Sequence, residues 1–151
     1  MIKKTIIIAK RNFLDYKIIE KFIAGLVLQG SEIKSIREKQ ISISESYASL
    51  RSSEMFIVNM NISSYRNSHS FSLKSDSKRA RKLLLNKKEI SKISLSSKKN
   101  NFSIIPLEVF INERGYAKIE IALAQRLKKY QLKEKIKERE IKRKIRENKF
   151  D

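Results

Sequence analysis

The chain has no cysteine and no tryptophan, a single histidine (His69), a single proline (Pro106), three glycines (25, 30 and 115), and aspartate only at 15, 76 and 151. Without cysteine there can be no disulfide framework, thiolate metal site or cysteine nucleophile. One histidine rules out a multi-histidine metal centre, and three scattered aspartates argue against a Ser-His-Asp triad. His69 lies in a polar stretch and reads as a surface residue. No enzymatic activity, metal or cofactor is expected. Long apolar runs are also missing. Met1 to Ala9 carries an apolar patch that Lys10 and Arg11 close, well short of the roughly 7 to 15 residues of a signal core. Phe22 to Leu28 is interrupted by Gly25 and falls far below the ~18 residues of a membrane span. A cytoplasmic protein with no membrane partner is the expectation.

Positive charge is what the chain has in excess. Its 151 residues carry 35 Lys+Arg against 16 Asp+Glu, a formal net charge of +19. Such an imbalance concerns partners rather than fold, and favours polyanions. The abundance of Lys, Ile, Asn and Ser also fits an AT-rich coding genome, which accounts for part of the lysine excess. The charge divides unevenly. Residues 126–151 hold 12 Lys+Arg against 5 Asp+Glu, a net +7, and the remainder holds 23 against 11, a net +12.

With glycine and proline so scarce, turns must be read from Ser, Asn and charged clusters. Residues 13 to 29 are aromatic and β-branched, as in strands, and run into Gly30. Residues 31 to 39 start at Ser31, a plausible N-cap, and place Ile33 and Ile36 three apart, so they predict a short helix. Ile41 to Arg51 and Glu54 to Ser63 read as a hairpin about Ser52-Ser53. The unbroken Met55-Phe56-Ile57-Val58 puts its second strand deep in a sheet. Arg66 to Ser77, polar and serine-rich, predicts a loop. Residues 78 to 95 set Ala80, Leu83, Leu84, Ile90 and Ile93 on one helical stripe, which predicts an amphipathic helix with a basic outer face. Phe102 to Ile111 and Tyr116 to Ala124 predict a hairpin about Asn112 to Gly115. In its second strand Ala117, Ile119, Ile121 and Leu123 alternate with Lys118, Glu120 and Ala122, so that face is expected to be wet.

Residues 126–151 differ in kind. They lack glycine and proline, and Glu138/Lys142 and Glu140/Lys144 make favourable pairs one helical turn apart. The apolar stripe is incoherent, however. Leu127, Tyr130, Ile141 and Ile145 project to one side, Glu134, Lys137 and Glu138 fill the middle of that side, and Leu132 and Ile136 point almost oppositely. Such a segment is expected to be disordered when free and to fold against a polyanionic surface. The chain therefore divides into a body, 1–125, and a basic C-terminal tail, 126–151. Hairpins dominate the body, which suggests a mainly β fold: a small oligonucleotide-binding-type barrel of about six antiparallel strands with two or three helices.

Several groups stand out as candidates for binding. Lys78, Arg79, Arg81, Lys82, Lys87 and Lys88 could be a merely solvated face. Their density, with no acid before Glu89, favours phosphate contact, and arginine adds bidentate bonding. Glu32 is an acid in basic company, either an ordinary first-turn carboxylate favoured by the helix dipole or one that accepts from a base amino group or pins a neighbouring arginine. Tyr47, Tyr65 and Tyr116 read as core or rim. Tyr130, heading a basic tail, is placed to stack on a base.

At GSEIKSIR (30–37) the sequence resembles the SsrA-binding protein (small protein B) family, whose pattern there is Gly-x-Glu-Val-Lys-Ser-Leu-Arg. AGLVLQG (24–30) leads into it, and SESYASL (44–50), RARKLLLNKKEI (79–90), GYAKIEIALA (115–124) and KEKIKERE (133–140) follow in the family's order, so the likeness runs from about Thr5 to Glu140. The chain departs from the pattern at Ala9, Leu14, Ser77 and Gln131-Leu132-Lys133. The resemblance implies an oligonucleotide-binding-type barrel that binds the tRNA-like domain of transfer-messenger RNA and delivers it to stalled ribosomes for trans-translation. It implies an RNA surface at Lys10, Arg11, Gly30, Glu32, Lys34, Ser35, Arg37, Arg79, Arg81, Lys82, Leu83, Leu84, Lys118, Arg126, Lys128 and Lys129. It also implies a tail helix in the decoding centre and mRNA channel, with Tyr130, Lys133, Lys137, Arg139, Lys142 and Arg143 contacting the ribosome. Elongation factor Tu would join through the RNA complex, and the adaptor itself would be a monomer. Two other readings compete: a ribosomal or translation-initiation protein on the same barrel, and a helix-mediated protein interaction module, against which the broken tail stripe argues.

Overall fold

Strands with one apolar face must bury it against a partner, and here the sheet supplies that partner by curling over itself. The computed structural model describes residues 3–63 and 77–148. Tyr65, His69, Asp76 and all but the last residue of the expected 66–77 loop lie outside the described residues. The elements run β1 (Lys4–Ile8), α1 (Lys10–Asp15), β2 (Tyr16–Leu26), α2 (Gly30–Arg37), β3 (Ile41–Ser42), β4 (Tyr47–Arg51), β5 (Glu54–Val58), β6 (Asn61–Ile62), β7 (Arg81–Leu84), α3 (Lys87–Asn100), β8 (Ser103–Ile111), β9 (Ala117–Arg126) and α4 (Lys129–Asn148). Seven strands form one antiparallel sheet in the order β1-β8-β9-β2-β7-β5-β4, and β3 and β6 pair separately. The sheet curls so that β4 packs against β8, but no ladder joins them. The fold is thus mainly antiparallel β, an open barrel.

Met55, Ile57, Leu83, Val109, Ile119, Ile121 and Leu123 fill the inside of the curl, where Ile36 of α2 and Ile93 of α3 join them. Both expected hairpins form. Ser52 and Ser53 take φ of 50° and 67°, the paired left-handed conformations of a two-residue turn whose twist matches the strands. At the other hairpin Gly115 has φ 83°, and Asn112 Oδ1 accepts from the N–H groups of Arg114 (3.1 Å) and Tyr116 (2.9 Å).

Four local expectations are corrected. Residues 78–95 are not one helix: Arg81–Leu84 is a strand, β7, and α3 starts at Lys87. The reason is tertiary, because β7 fills the slot between β5 and β2. Asn86 then starts the helix by capping: its Oδ1 accepts from Glu89 N (2.8 Å), and Glu89 Oε1 accepts from Asn86 N (3.2 Å). At the start of β2, Phe13 to Asp15 belong to α1 rather than to a strand. The N-cap of α2 is Gln29, in a capping box with Glu32, not Ser31. The outer face of β9 is wet at only one end. Ala122 and Ala124 are buried with Ile105 and Leu107 beneath Phe13, Tyr16 and Ile18, because α1 folds over them.

The serine pair at the β4–β5 turn sits where L-residues are strained. Replacing Ser52-Ser53 by Asn-Gly should raise stability by about 0.5–1 kcal/mol in urea unfolding, since these residues favour the left-handed region; an unchanged midpoint would contradict this reading of the turn.

Candidate nucleic-acid interface

The site is built around a carboxylate turned inward from the first turn of α2. Glu32 Oε1 accepts from Gln29 N at 2.9 Å and from Arg79 Nη2. Glu32 Oε2 accepts from Arg81 Nε and pairs with Arg81 Nη2, both at 2.6 Å. Strand alternation explains the arrangement: Arg81 and Leu83 point inward from β7, and Leu84 points out. Arg81 is wholly buried. Its Nη1 donates to the carbonyls of Met60 (2.5 Å) and Arg79 (3.2 Å), and its Nη2 to Ser77 (2.9 Å). A guanidinium has five N–H donors in a fixed fork, and this fork binds α2, β7 and the segment after β5 into one unit.

Burial by itself raises the pKa of Glu32, but hydrogen bonds from Arg79, the Gln29 backbone and Arg81, with the charge of Arg81, outweigh it and hold the carboxyl below its ordinary value. Burial lowers the pKa of Arg81 while Glu32 opposes the shift; an arginine remains charged regardless. The ion pair is therefore intact at neutral pH.

The expected RNA residues fall into two groups. Glu32, Ser35, Arg81 and Leu83 are buried, so they shape the surface from beneath. Lys10, Arg11, Gly30, Lys34, Arg37, Leu84, Arg126, Lys128 and Lys129 are exposed, and Arg79, Lys82 and Lys118 are half-buried. Lys118, Gly25 and Leu84 form a row across β9, β2 and β7. A Cβ at Gly25 would lie 3.3 Å from Leu84 Cβ and 3.5 Å from Lys118 Nζ, so this glycine lets an apolar side chain and a cation close over the strand. Leu84 is left 55% exposed there. Arg37 reaches the β8–β9 turn, with its Nη2 3.6 Å from where a Gly115 Cβ would stand. Lys10 and Arg11 are not part of this group. They ride on α1, which covers β9 near Ala124, six residues or about 20 Å of strand from Lys118. Arg11 pairs with Asp15 at 3.0 Å, and Arg126 lies over the Tyr16 ring, 5.9 Å from its centroid. In the tail, Tyr130, Lys133, Lys137, Arg139, Lys142 and Arg143 are all exposed. Tyr47 and Tyr116 are exposed as well.

Sequence reasoning missed two contributors. Gly25 was legible as an isolated glycine in a strand, a sign of close approach. Lys135 donates to the carbonyls of Phe13 (2.5 Å) and Tyr16 (3.2 Å), and no local pattern marks it. Among the described residues no three His, Cys, Asp or Glu side chains come together to hold a metal, and no helix is long and apolar enough to cross a membrane.

A curled antiparallel sheet, with one arginine locked beneath its surface and lysines flanking an exposed leucine above, defines a β domain suited to a folded polyanion. The profile of the SmpB protein family matches residues 6–150. The SsrA-binding protein of Cytophaga hutchinsonii is 46% identical over 134 residues, covering 89% of this chain and 86% of that protein. That of Thermosipho melanesiensis is 43% identical over 132 residues, covering 87% and 88%. A solved chain from the work "tmRNA-SmpB: a journey to the center of the bacterial ribosome" superposes with a TM-score of 0.63 at 32% identity, covering 81% of this chain and 87% of that one. This chain belongs to the SsrA-binding protein family.

Glu32→Gln should destabilise the fold by about 3 kcal/mol, because it leaves the buried Arg81 charge without its counter-ion. The pH dependence has a definite sign. A carboxyl with a depressed folded pKa contributes stability above its unfolded value of about 4.3 and loses it as pH falls through the lower folded value. Wild-type stability should fall through that acid window more steeply than that of Glu32→Gln; parallel urea-midpoint profiles would contradict the assignment.

Proposed function

We propose that this chain is an RNA-binding adaptor that holds the tRNA-like domain of transfer-messenger RNA and delivers it to stalled ribosomes for trans-translation. The observation that carries this reading is that the two motifs most characteristic of the family, at 30–37 and 79–90, meet in space through Glu32, Arg79 and Arg81. Lys10, Arg11, Gly30, Lys34, Arg37, Arg79, Lys82, Leu84, Lys118, Arg126, Lys128 and Lys129 face the RNA, and Glu32, Ser35, Arg81 and Leu83 hold that face in shape. Phosphate contacts supply most of the affinity, and the fixed shape of the surface selects a folded RNA. The adaptor has no catalytic role and needs no cofactor. It works as a monomer in the cytoplasm, and elongation factor Tu joins through the RNA.

The body, 1–125, and the tail, 126–151, divide the labour. The tail enters the decoding centre and mRNA channel, where Tyr130 stacks on a base and Lys133, Lys137, Arg139, Lys142 and Arg143 meet phosphates. Beyond the point where α4 touches the body it is disordered in the free protein and completes its helix on the ribosome. A helix of this charge, with no fully buried side chain among its described residues 129–146, is marginal in isolation.

Deleting residues 130–151 should leave affinity for the tRNA-like domain within about threefold, since the residues assigned to that RNA all precede position 130, while tagging of stalled chains in a reconstituted translation system is abolished. Loss of both activities together would show that the tail has been assigned the wrong role.

A further inference from the structure

The tail touches the body at the C-terminal end of α1, the helix whose first turn carries Lys10 and Arg11. Lys135 Nζ donates to the carbonyls of Phe13, in the last turn of α1, and Tyr16, its C-terminal cap. The last carbonyls of a helix lack intrahelical partners and carry partial negative charge. α1 has no basic residue in its own last turn, so the cation comes from 122 positions along the chain. Between Lys129 and Arg146 only Leu132 and Lys135 are drawn out of solvent to the half-buried level, and they lie three apart, on one side of the helix. Leu14 of α1 borders a cleft along α4, lined by Ile136, Arg139, Glu140, Lys142, Arg143 and Arg146. The lead-in is tied as well, with Leu127 N donating to Asp15 O at 2.9 Å. A lysine normally leaves its charge in water; this one is extended into the body to meet two main-chain oxygens.

We infer that the C-terminal end of α1 is a docking seat for the protein's own tail, and that Lys135 is the latch which holds the first turns of α4 there in the free protein. Docked in this way, the helix leaves the body in a fixed direction. Lys133 and Lys137, each two residues from Lys135, face the opposite side and remain available. The latch therefore orders the root of the tail. That the tail then serves the ribosome rests on the function proposed above; the latch itself does not.

The test is amide hydrogen exchange on the full chain without RNA, comparing wild type with Lys135→Met, which keeps a long stem and a similar helix propensity. Amides of 133–137 should exchange at least about tenfold more slowly than an unstructured peptide in the wild type, and close to the unstructured rate in the variant. Unstructured rates at 133–137 in the wild type, or equal protection in Lys135→Met, would overturn the latch. RNA affinity is read separately on the same samples: a wild-type chain with a protected tail root and no affinity for the tRNA-like domain would refute the functional reading and leave the latch standing.

Discussion

The architecture of the proposed RNA face depends on a buried ion pair between Glu32 and Arg81. Removing a guanidinium from water is tolerated only when its donors find acceptors and its charge a counter-ion. Arg81 meets both conditions with one carboxylate and three main-chain carbonyls. Because those acceptors belong to α2, to the end of the β5 segment and to the approach to β7, the pair ties together three pieces of chain whose apolar side chains meet in the same core. Glu32 also closes the capping box at Gln29 and holds Arg79. One side chain thus starts a helix, neutralises a buried charge and aims a half-exposed arginine.

This arrangement separates charges that build the surface from charges that use it. Of the residues the resemblance assigns to RNA, Glu32 and Arg81 are withdrawn from solvent, whereas Arg79, Lys82 and Lys118 are only half-buried and Lys34 is exposed. A polyanion approaching the outer face meets Lys118 and the apolar Leu84 across Gly25, with Arg37 at the neighbouring turn, all mounted on paired strands or on a pinned helix. In the proposed function, rigid mounting is what lets a few cations discriminate a folded RNA from any other polyphosphate, because a flexible basic surface would follow either. The net charge of the body supplies attraction; position supplies selectivity.

Much of this was legible in the residues themselves. Asn112 to Gly115 and Ser52-Ser53 announced their hairpins, Met55 to Val58 announced an interior strand, and Glu32 stood out as an acid among cations. Both readings of Glu32 proved compatible, since it is a first-turn carboxylate and it pins arginines. Residues 79–85 were not legible, because consecutive leucines satisfy a helical stripe and a strand alternation equally well. Only the empty slot between β5 and β2 decides between them, and that is a property of the assembled sheet. The Asn86 to Glu89 capping box was the one local signal against a continuous helix. Lys135 was hidden for a similar reason: nothing nearby in sequence distinguishes it from the other lysines of the tail, and its acceptors lie at the other end of the chain.

The central claim is that the clamped face recognises one particular RNA and does not merely collect phosphate. A competition gel shift with the full chain bound to the labelled tRNA-like domain of transfer-messenger RNA tests this most directly. Unlabelled transfer-messenger RNA should displace the probe at concentrations at least about a hundredfold below those required of a ribosomal RNA fragment of equal length, as expected when shape-specific contacts add to a shared phosphate term. Equal displacement by the two, or a preference for the ribosomal fragment, would contradict the account and favour a ribosomal or translation-initiation role on the same fold.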